Sequence, residues 1–423
     1  MSSATVEHDP LPQVIEAVRQ GRPIVLIDDR DRENEGDIMV AAELITAGEI
    51  GFMIREAKGL ICLSLTESKL KSLGVPLQVT ENSSPFGTNF GVSFDHVSVA
   101  GHGVSAAARA RTILATVQEG AGPADFVMPG FVFPVCAVPG GVLKRRGQTE
   151  GSVDLARLAG LSPAGVICEI MGEDGQMVRG TALAAYCRRH NLLVTSVDEI
   201  CQYRLQREVS LRRLAELTFT PEMGLSRDPA LEELLRLSGA RVRIVTYIDD
   251  VDDKEHLALI VGEPRKGALV RIHSECLTGD VFASRRCDCG YQLNQALRMI
   301  LKAGEGVIVY LHQEGRDIGL GNKLRAYELQ DKGYDTVDAN LSLGFAADSR
   351  NYRAGAQILS DLGLAGVRLI TNNPHKVQSL GLFGVEVTER VDLPVQMDKF
   401  NTAYLLAKRR RMGHLFPEQP GED

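Results

Sequence analysis

Three cysteines within fourteen residues, Cys276, Cys287 and Cys289, carry the densest chemistry in this 423-residue chain. Their spacing is C-x10-C-x-C, and no fourth cysteine lies nearby. Structural zinc usually takes four protein ligands, whereas catalytic zinc keeps one position open for water. Three thiolates plus a water therefore read as a hydrolytic arrangement; the alternative is a set of buried or redox-active cysteines. Arg285 and Arg286 precede the Cys287-Asp-Cys289 turn and favour the thiolate form that a metal needs. Gly290 relaxes the backbone after that turn.

Such residues need a scaffold, and the chain supplies one by alternation. Val307-Ile-Val-Tyr-Leu311 and Val367-Arg-Leu-Ile-Thr371 read as buried strands, while Lys323 to Asp331 and Tyr352 to Leu362 read as helices. In the first half, Pro23 to Asp28, Leu60 to Leu65 and Leu192 to Thr195 read as strands. Val104 to Gln118 and Leu183 to His190 read as helices. This mixture predicts an α/β (α+β) chain of two mixed-sheet domains, each with helices packed on its sheet. The length exceeds what one ordinary core supports. A boundary near residue 205 gives domains 1–205 and 206–423, with a linker at about 205–240. Within it, Tyr203 to Leu217 is charged and reads as helix, and Thr218 to Asp228 contains Pro and Gly. Pro229 to Leu237 reads as a second short helix before a strand at Arg241.

The composition narrows the partners. A net charge of -8 argues against general nucleic-acid binding, and Lys408-Arg-Arg-Arg411 reads as a solvated helix end. No apolar run reaches membrane-spanning length, and the first ten residues lack a basic-then-apolar signal pattern. Eight cysteines, three of them clustered, suit a reducing compartment. The expectation is a cytoplasmic protein with neither membrane nor nucleic acid as partner.

Around the cysteines stand Arg271-Ile-His-Ser-Glu275, Gln292, Glu314-Gly-Arg316, Lys323 to Tyr327, Gly344-Phe-Ala-Ala-Asp348, Arg350 and Thr371-Asn-Asn-Pro374. In that order they resemble GTP cyclohydrolase II over roughly residues 241–416. That enzyme opens the guanine ring of GTP at the start of riboflavin synthesis. The resemblance implies one zinc held by Cys276, Cys287 and Cys289, hydrolysis at C8 with loss of formate, and a diaminopyrimidinone ribotide and pyrophosphate as the other products. It also implies substrate contacts at Arg271, His273, Ser274, Glu275, Gln292, Glu314, Gly315, Arg316, Thr336, Thr371 and Lys376. Guanidinium forks suit phosphate oxygens. Arg350 matches the arginine that attacks the α-phosphate, Asp348 the proton acceptor beside it, and Tyr327 a tyrosine linked to completing ring opening. Arginine is almost always protonated, so such a nucleophile needs a base. Mg2+ would neutralise the departing pyrophosphate. The Pro-Thr-x-x-Gly turn that normally opens the family domain is absent.

Residues 12–204 carry Asp28-Asp-Arg-Asp-Arg-Glu-Asn-Glu-Gly-Asp37, Gly140 to Arg145, Asp154 to Gly160 and Ala164 to Met171. These resemble 3,4-dihydroxy-2-butanone 4-phosphate synthase, a domain commonly fused ahead of GTP cyclohydrolase II. Arg32, Glu33, Glu35, Asp37, Arg145, Thr149 and Glu169 persist at matching site positions. The family's metal-binding histidine is Gln148, a second histidine is Phe131, an aspartate is Ala108 and an arginine is Cys136. Mg2+ accepts a neutral amide oxygen, so metal binding there is weakened. Phenylalanine and alanine exchange no protons, and each positioned acid or base contributes about 10²–10⁴-fold. The expectation is a degenerate synthase domain that serves to dimerise or stabilise a zinc-dependent cyclohydrolase. The alternatives are an active bifunctional enzyme acting also on ribulose 5-phosphate, and a non-catalytic nucleotide-binding scaffold.

Overall fold

The computed structural model describes residues 6–29, 32–220 and 228–416. The chain divides into two compact units, Met1–Arg207 and Glu208–Asp423.

In the first unit, uninterrupted apolar runs make strands that are covered on both faces. Among the described residues the strands are β1 (Ile24–Ile27), β2 (Gly36–Ala41), β3 (Cys62–Thr66), β4 (Asn89–Phe90), β5 (Phe94–His96), β6 (Phe126–Ala137), β7 (Ala164–Glu169) and β8 (Leu193–Ser196). They run β4-β6-β3-β7-β2-β1-β8, with β5 added to β6. The β3–β6 and β1–β8 pairs are parallel and the others antiparallel. Alternate residues point to opposite faces. Val25, Ile38, Leu63 and Val166 pack in one core with helices Ala106–Thr116 and Gly180–His190. Leu26, Met39, Cys62 and Ile167 pack in the other with helices Leu11–Arg19 and Gln148–Leu158.

The second unit repeats this logic with a different topology. Its strands are β9 (Leu211–Phe219), β10 (Val242–Asp249), β11 (Glu255–Val261), β12 (Leu269–Ser274), β13 (Gly306–Leu311), β14 (Gly366–Ile370) and β15 (Glu386–Val391). The order is β15-β14-β12-β13-β11-β10-β9. β12 to β15 pair in parallel, while β9 to β11 and the β11–β13 pair are antiparallel. Helix Arg353–Asp361 covers one face against Val270, Ile272 and Val309. Helices Pro229–Ser238 and Cys289–Ala303 cover the other against Leu269 and Ile308. The chain moves from β12 to β13 on one side and then crosses to β14 on the other. In open α/β sheets the crevice beyond the strand carboxyl ends at such a reversal is the usual ligand site.

The expected helix over Tyr203 to Leu217 is corrected. A helix, Val197–Arg207, ends early, and Leu211–Phe219 is an edge strand. Its charges are cross-strand partners: Arg212 pairs with Asp250, and Glu216 with Arg243 at 3.0 Å. Such pairs stabilise a sheet edge and discourage further strand addition. Helix Pro229–Ser238 forms as read, with Leu231 and Leu235 buried, so most of the described part of 205–240 is ordered structure packed into the second unit. Residues 221–227 of the Thr218–Asp228 stretch lie outside the described residues.

Candidate active site

Cys276 follows β12, while Cys287 and Cys289 form the turn that starts helix Cys289–Ala303. Their three sulfurs lie within 4.8 Å of one another, with Cys276 and Cys287 at 3.6 Å. Zn–S bonds of about 2.3 Å at tetrahedral angles would separate sulfurs by about 3.8 Å, so this donor set fits zinc. Two glycines permit the approach. A Cβ on Gly279 would lie 3.0 and 3.1 Å from the Cys287 and Cys276 sulfurs, and one on Gly290 only 2.2 Å from the Gly279 carbonyl oxygen. Hydrogen bonds from the Cys287 and Cys289 thiols, and then the Lys323 ammonium, hold the Cys276 thiol well below its ordinary range. Lys323 Nζ donates to Cys276 Sγ at 3.1 Å and to Glu314 Oε1 at 2.7 Å.

The sulfurs open on a cleft of about 560 Å³. It brings together Ser274, Glu275, Glu314, Gly315, Arg316, Tyr327, Thr336 and Arg350 from the expected set. Arg316 follows β13 in a left-handed backbone (φ 64°), flanked by Gly315 and Asp317 in the same region. A non-glycine residue keeps that conformation only where its surroundings over-determine it. Its Nη1 donates to the Ala347 carbonyl, and its Nη2 is buried without a partner.

Arg350 and Asp348 form a fork. Arg350 Nε donates to Oδ1 at 2.8 Å, Nη2 to Oδ2 at 2.5 Å, and the Arg350 N–H to Oδ1 at 3.1 Å. Burial works against the Asp348 charge, but the hydrogen bonds and charge of Arg350 win and place its pKa at about 2. Burial likewise works against the Arg350 charge, and Tyr352 and Asp348 outweigh it upwards.

The remaining expected residues stand behind the cleft wall. Arg271 on β12 is buried, with Nη1 on the Ile370 carbonyl, Nη2 on Gln292 Oε1 at 2.6 Å, and Nε unpartnered. Lys376 Nζ donates to the Ile272 carbonyl, and Thr371 Oγ1 accepts from the Asn373 N–H. Burial, then repulsion from Arg271 and Arg350, pushes the Lys376 pKa well below normal. The region is therefore short of negative charge. His273 donates from Nε2 to Asp280, whose Oδ2 also accepts from the Tyr310 hydroxyl and the Cys276 N–H. It is a buried brace for Cys276.

Asp280, Lys323 and Lys408 were missed as site residues. Lys408 also corrects the reading of Lys408 to Arg411 as a solvated helix end. It is buried in helix Thr402–Met412, with Nζ 2.8 Å from Asp288 Oδ1. The basic run masked this, because only the fold distinguishes the inward lysine from Arg409 and Arg410, which are exposed.

In the first unit, Asp37 and Glu169 face each other across β2 and β7. With Asp28, Glu33 and Glu35 they form an acidic group. Burial first, then repulsion from Glu169, raises the Asp37 pKa; Glu169 rises by burial, with backbone hydrogen bonds opposing and Glu33 adding repulsion; Glu35 rises by burial, with Arg179 opposing. The Arg32 guanidinium sits among them: its Nη1 donates to Gln148 Oε1 at 2.8 Å, Asp28 Oδ2 at 2.9 Å and Glu33 Oε2 at 3.0 Å. The resemblance puts a metal ion at Glu33 and Gln148; Glu33 Oε2 and Gln148 Oε1 both accept from Arg32, while Asp37 Oδ1 beside them is buried without a partner. Arg145 is tied to Glu150, Thr88 and the Phe86 carbonyl. Thr149 is buried, and Glu169 accepts the Leu60 N–H at 2.8 Å. Phe131 is exposed.

Residues 12–203 match the family model for 3,4-dihydroxy-2-butanone 4-phosphate synthase, and residues 230–392 that for GTP cyclohydrolase II. A curated relative from Aquifex aeolicus, riboflavin biosynthesis protein RibBA, is 47% identical over 96% of this chain and 97% of its own length. One of the same name from Salinispora tropica is 46% identical over 96% and 98%. The crystal structure of RibBX from A. baumannii, a two-domain 3,4-dihydroxy-2-butanone 4-phosphate synthase, superposes with a TM-score of 0.63 at 31% identity, covering 92% of this chain and all of that one. With likeness of this extent across both units, the chain belongs to the family of fused riboflavin-biosynthesis enzymes that join a 3,4-dihydroxy-2-butanone 4-phosphate synthase domain to a GTP cyclohydrolase II domain.

Proposed function

We propose that the protein is a zinc-dependent GTP cyclohydrolase II whose synthase domain is catalytically silent. The carrying observation is one cleft lined by Cys276, Cys287, Cys289, Arg316, Arg350 and Tyr327. Zinc, when bound, would supply hydroxide near neutral pH for attack on the guanine ring. The basic groups Arg271, Arg350 and Lys376 suit a triphosphate, whose charge would favour the protonated Lys376 ammonium. Arg316 offers its unpartnered Nη2 to a phosphate oxygen, and Arg350, held by Asp348, faces the α-phosphate. Thr336, Glu314 and the Ser274-Glu275 pair would meet the base and ribose. Gln292, Thr371 and His273 act from behind the wall, and Mg2+ would accompany the pyrophosphate. The test is zinc-dependent release of formate and pyrophosphate from GTP; a zinc-loaded protein that binds GTP without turnover would leave the scaffold reading in its place.

Burial pushes the Tyr327 phenol well above its ordinary pKa, so it stays a proton donor at neutral pH. Tyr327→Met is expected to keep consuming GTP while formate release drops by about 10²-fold or more, the scale of one positioned acid. Undiminished formate in that variant, read by NMR, would refute the role.

The silent-synthase reading rests on Gln148, Phe131 and Ala108, and on Arg32 occupying the metal-side oxygens of Glu33 and Gln148. In a variant with Cys276, Cys287 and Cys289 all changed to serine, Mn2+ titration followed by EPR is expected to show no tight site in the first unit. Adding Gln148→His and Arg32→Ala is expected to create one. A tight site already present with Gln148 would favour the second reading, a bifunctional enzyme, which the full-length relatives' names and the acidic group support. We further place the protein in the cytoplasm as a homodimer. All eight cysteines are free, and no helix among the described residues is long and apolar enough to cross a membrane.

A further inference from the structure

We propose that Lys408, delivered by the C-terminal helix, is a positioning residue that holds the cysteine turn and the Gln292 amide behind the cleft wall in register. The helix Thr402–Met412 lies beyond residue 392, where the family-model match ends, yet Tyr404 lines the cleft and Leu405 is fully buried. Other bonds dock the segment from several sides. Arg411 pairs with Asp335 at 2.6 Å and Asp338 at 3.1 Å, Arg285 with Asp398, and the Leu415 N–H donates to the Asn372 carbonyl.

Lys408 reaches Asp288, which stands between Cys287 and Cys289 and is itself 2% exposed. Both Asp288 oxygens are used: Oδ1 accepts from Lys408 Nζ at 2.8 Å and Oδ2 from Gln292 Nε2 at 2.5 Å. This fixes the amide, because Gln292 must then present its oxygen to Arg271 Nη2. The order Lys408–Asp288–Gln292–Arg271 is a single polar chain whose donors converge on the Asp288 carboxylate, from Lys408 on one side and from Arg271 through Gln292 on the other. Without Lys408, a buried carboxylate loses its counter-charge, which destabilises the cysteine turn that carries it. Gln292 then has less reason to keep its amide oriented, and its flipped form would set donor against Arg271 donor.

This inference rests on the zinc reading for one arm only. Zinc release from the full-length protein, followed with a chromophoric chelator, is expected to quicken by about 10–100-fold in Lys408→Met, the usual scale for a partner behind a metal ligand. GTP affinity of the metal-free protein is expected to weaken alongside. The deciding variant is Asp288→Asn/Lys408→Met, which removes the stranded charge while keeping an oxygen for Gln292. It is expected to recover most of the loss in both measurements, whereas a role in helix docking alone would give no recovery. Zinc release and GTP affinity of Lys408→Met within twofold of the parent would overturn the proposal. So would a double variant no better than the single. Should Lys408→Met fail to fold, a folded double variant supports the proposal and an unfolded one overturns it. A parent that takes up no zinc sinks the metal reading, and the GTP-affinity arm then decides Lys408 by itself.

Discussion

Cys287→Ser is expected to leave a folded protein that holds zinc poorly and releases formate from GTP at least about 10³-fold more slowly. The size follows from losing several kcal/mol of stabilisation that a metal gives to developing charge and to its hydroxide. Serine places an oxygen with a far higher pKa where the three-sulfur set presents a soft anion, so the site loses a ligand rather than exchanging one. Folding should survive, because Cys287 lies at the head of helix Cys289–Ala303 and belongs to neither apolar core of the second unit. Zinc content by mass spectrometry, a circular dichroism melt and a formate assay check the three parts. Parental formate release from zinc-poor Cys287→Ser protein would remove the metal from the mechanism.

Asp348→Asn should lower turnover by about 10²–10⁴-fold, the range for a positioned acid or base. Asp348 accepts three hydrogen bonds from Arg350, and asparagine, uncharged and with one acceptor oxygen, can neither balance the guanidinium nor hold it in the same fork. The pH behaviour is distinctive. With a folded pKa of about 2, against about 3.9 for a free aspartate, the carboxylate is ionised throughout the working range. Its contribution to stability is complete above about pH 4 and is lost as pH falls towards 2. Hence the acidic limb of the pH–rate profile should persist in Asp348→Asn at a lower height, because another group produces it. Arg350→Lys keeps the charge but breaks the two-pronged bond, and should lose comparable activity. Turnover of Asp348→Asn within threefold of the parent would reduce the pair to a structural ion pair.

The cleft was largely legible in the sequence because its residues come in short runs at strand ends. Ser274 to Cys276 leave β12 and Glu314 to Arg316 follow β13; their order along the chain, through the family resemblance, marked both runs, although only β13 was read as a strand. Arg271 and Lys376 carried the right types without the right depth. Both lie behind the wall, because strand pleating and long side chains decide which atoms reach the cleft. The strand Leu211–Phe219 was illegible for a related reason: its charges satisfy partners on β10 and beyond, and local periodicity contains no trace of them. Contacts distant in sequence hid two more features. Lys408 meets Asp288 across 120 positions, and Arg32 meets Gln148 across 116. In the latter case the substitution of histidine was visible, but not that an arginine would bond to its replacement.

The central claim, one working chemistry and one silent domain, is tested most directly by giving the purified full-length protein Zn2+ and Mg2+ with either GTP or ribulose 5-phosphate. Formate and phosphorylated products are followed by NMR in both reactions. Formate and pyrophosphate are expected from GTP, and no formate above the protein-free rate from ribulose 5-phosphate. Formate from ribulose 5-phosphate would contradict it and show that Gln148, Phe131 and Ala108 sustain a second reaction.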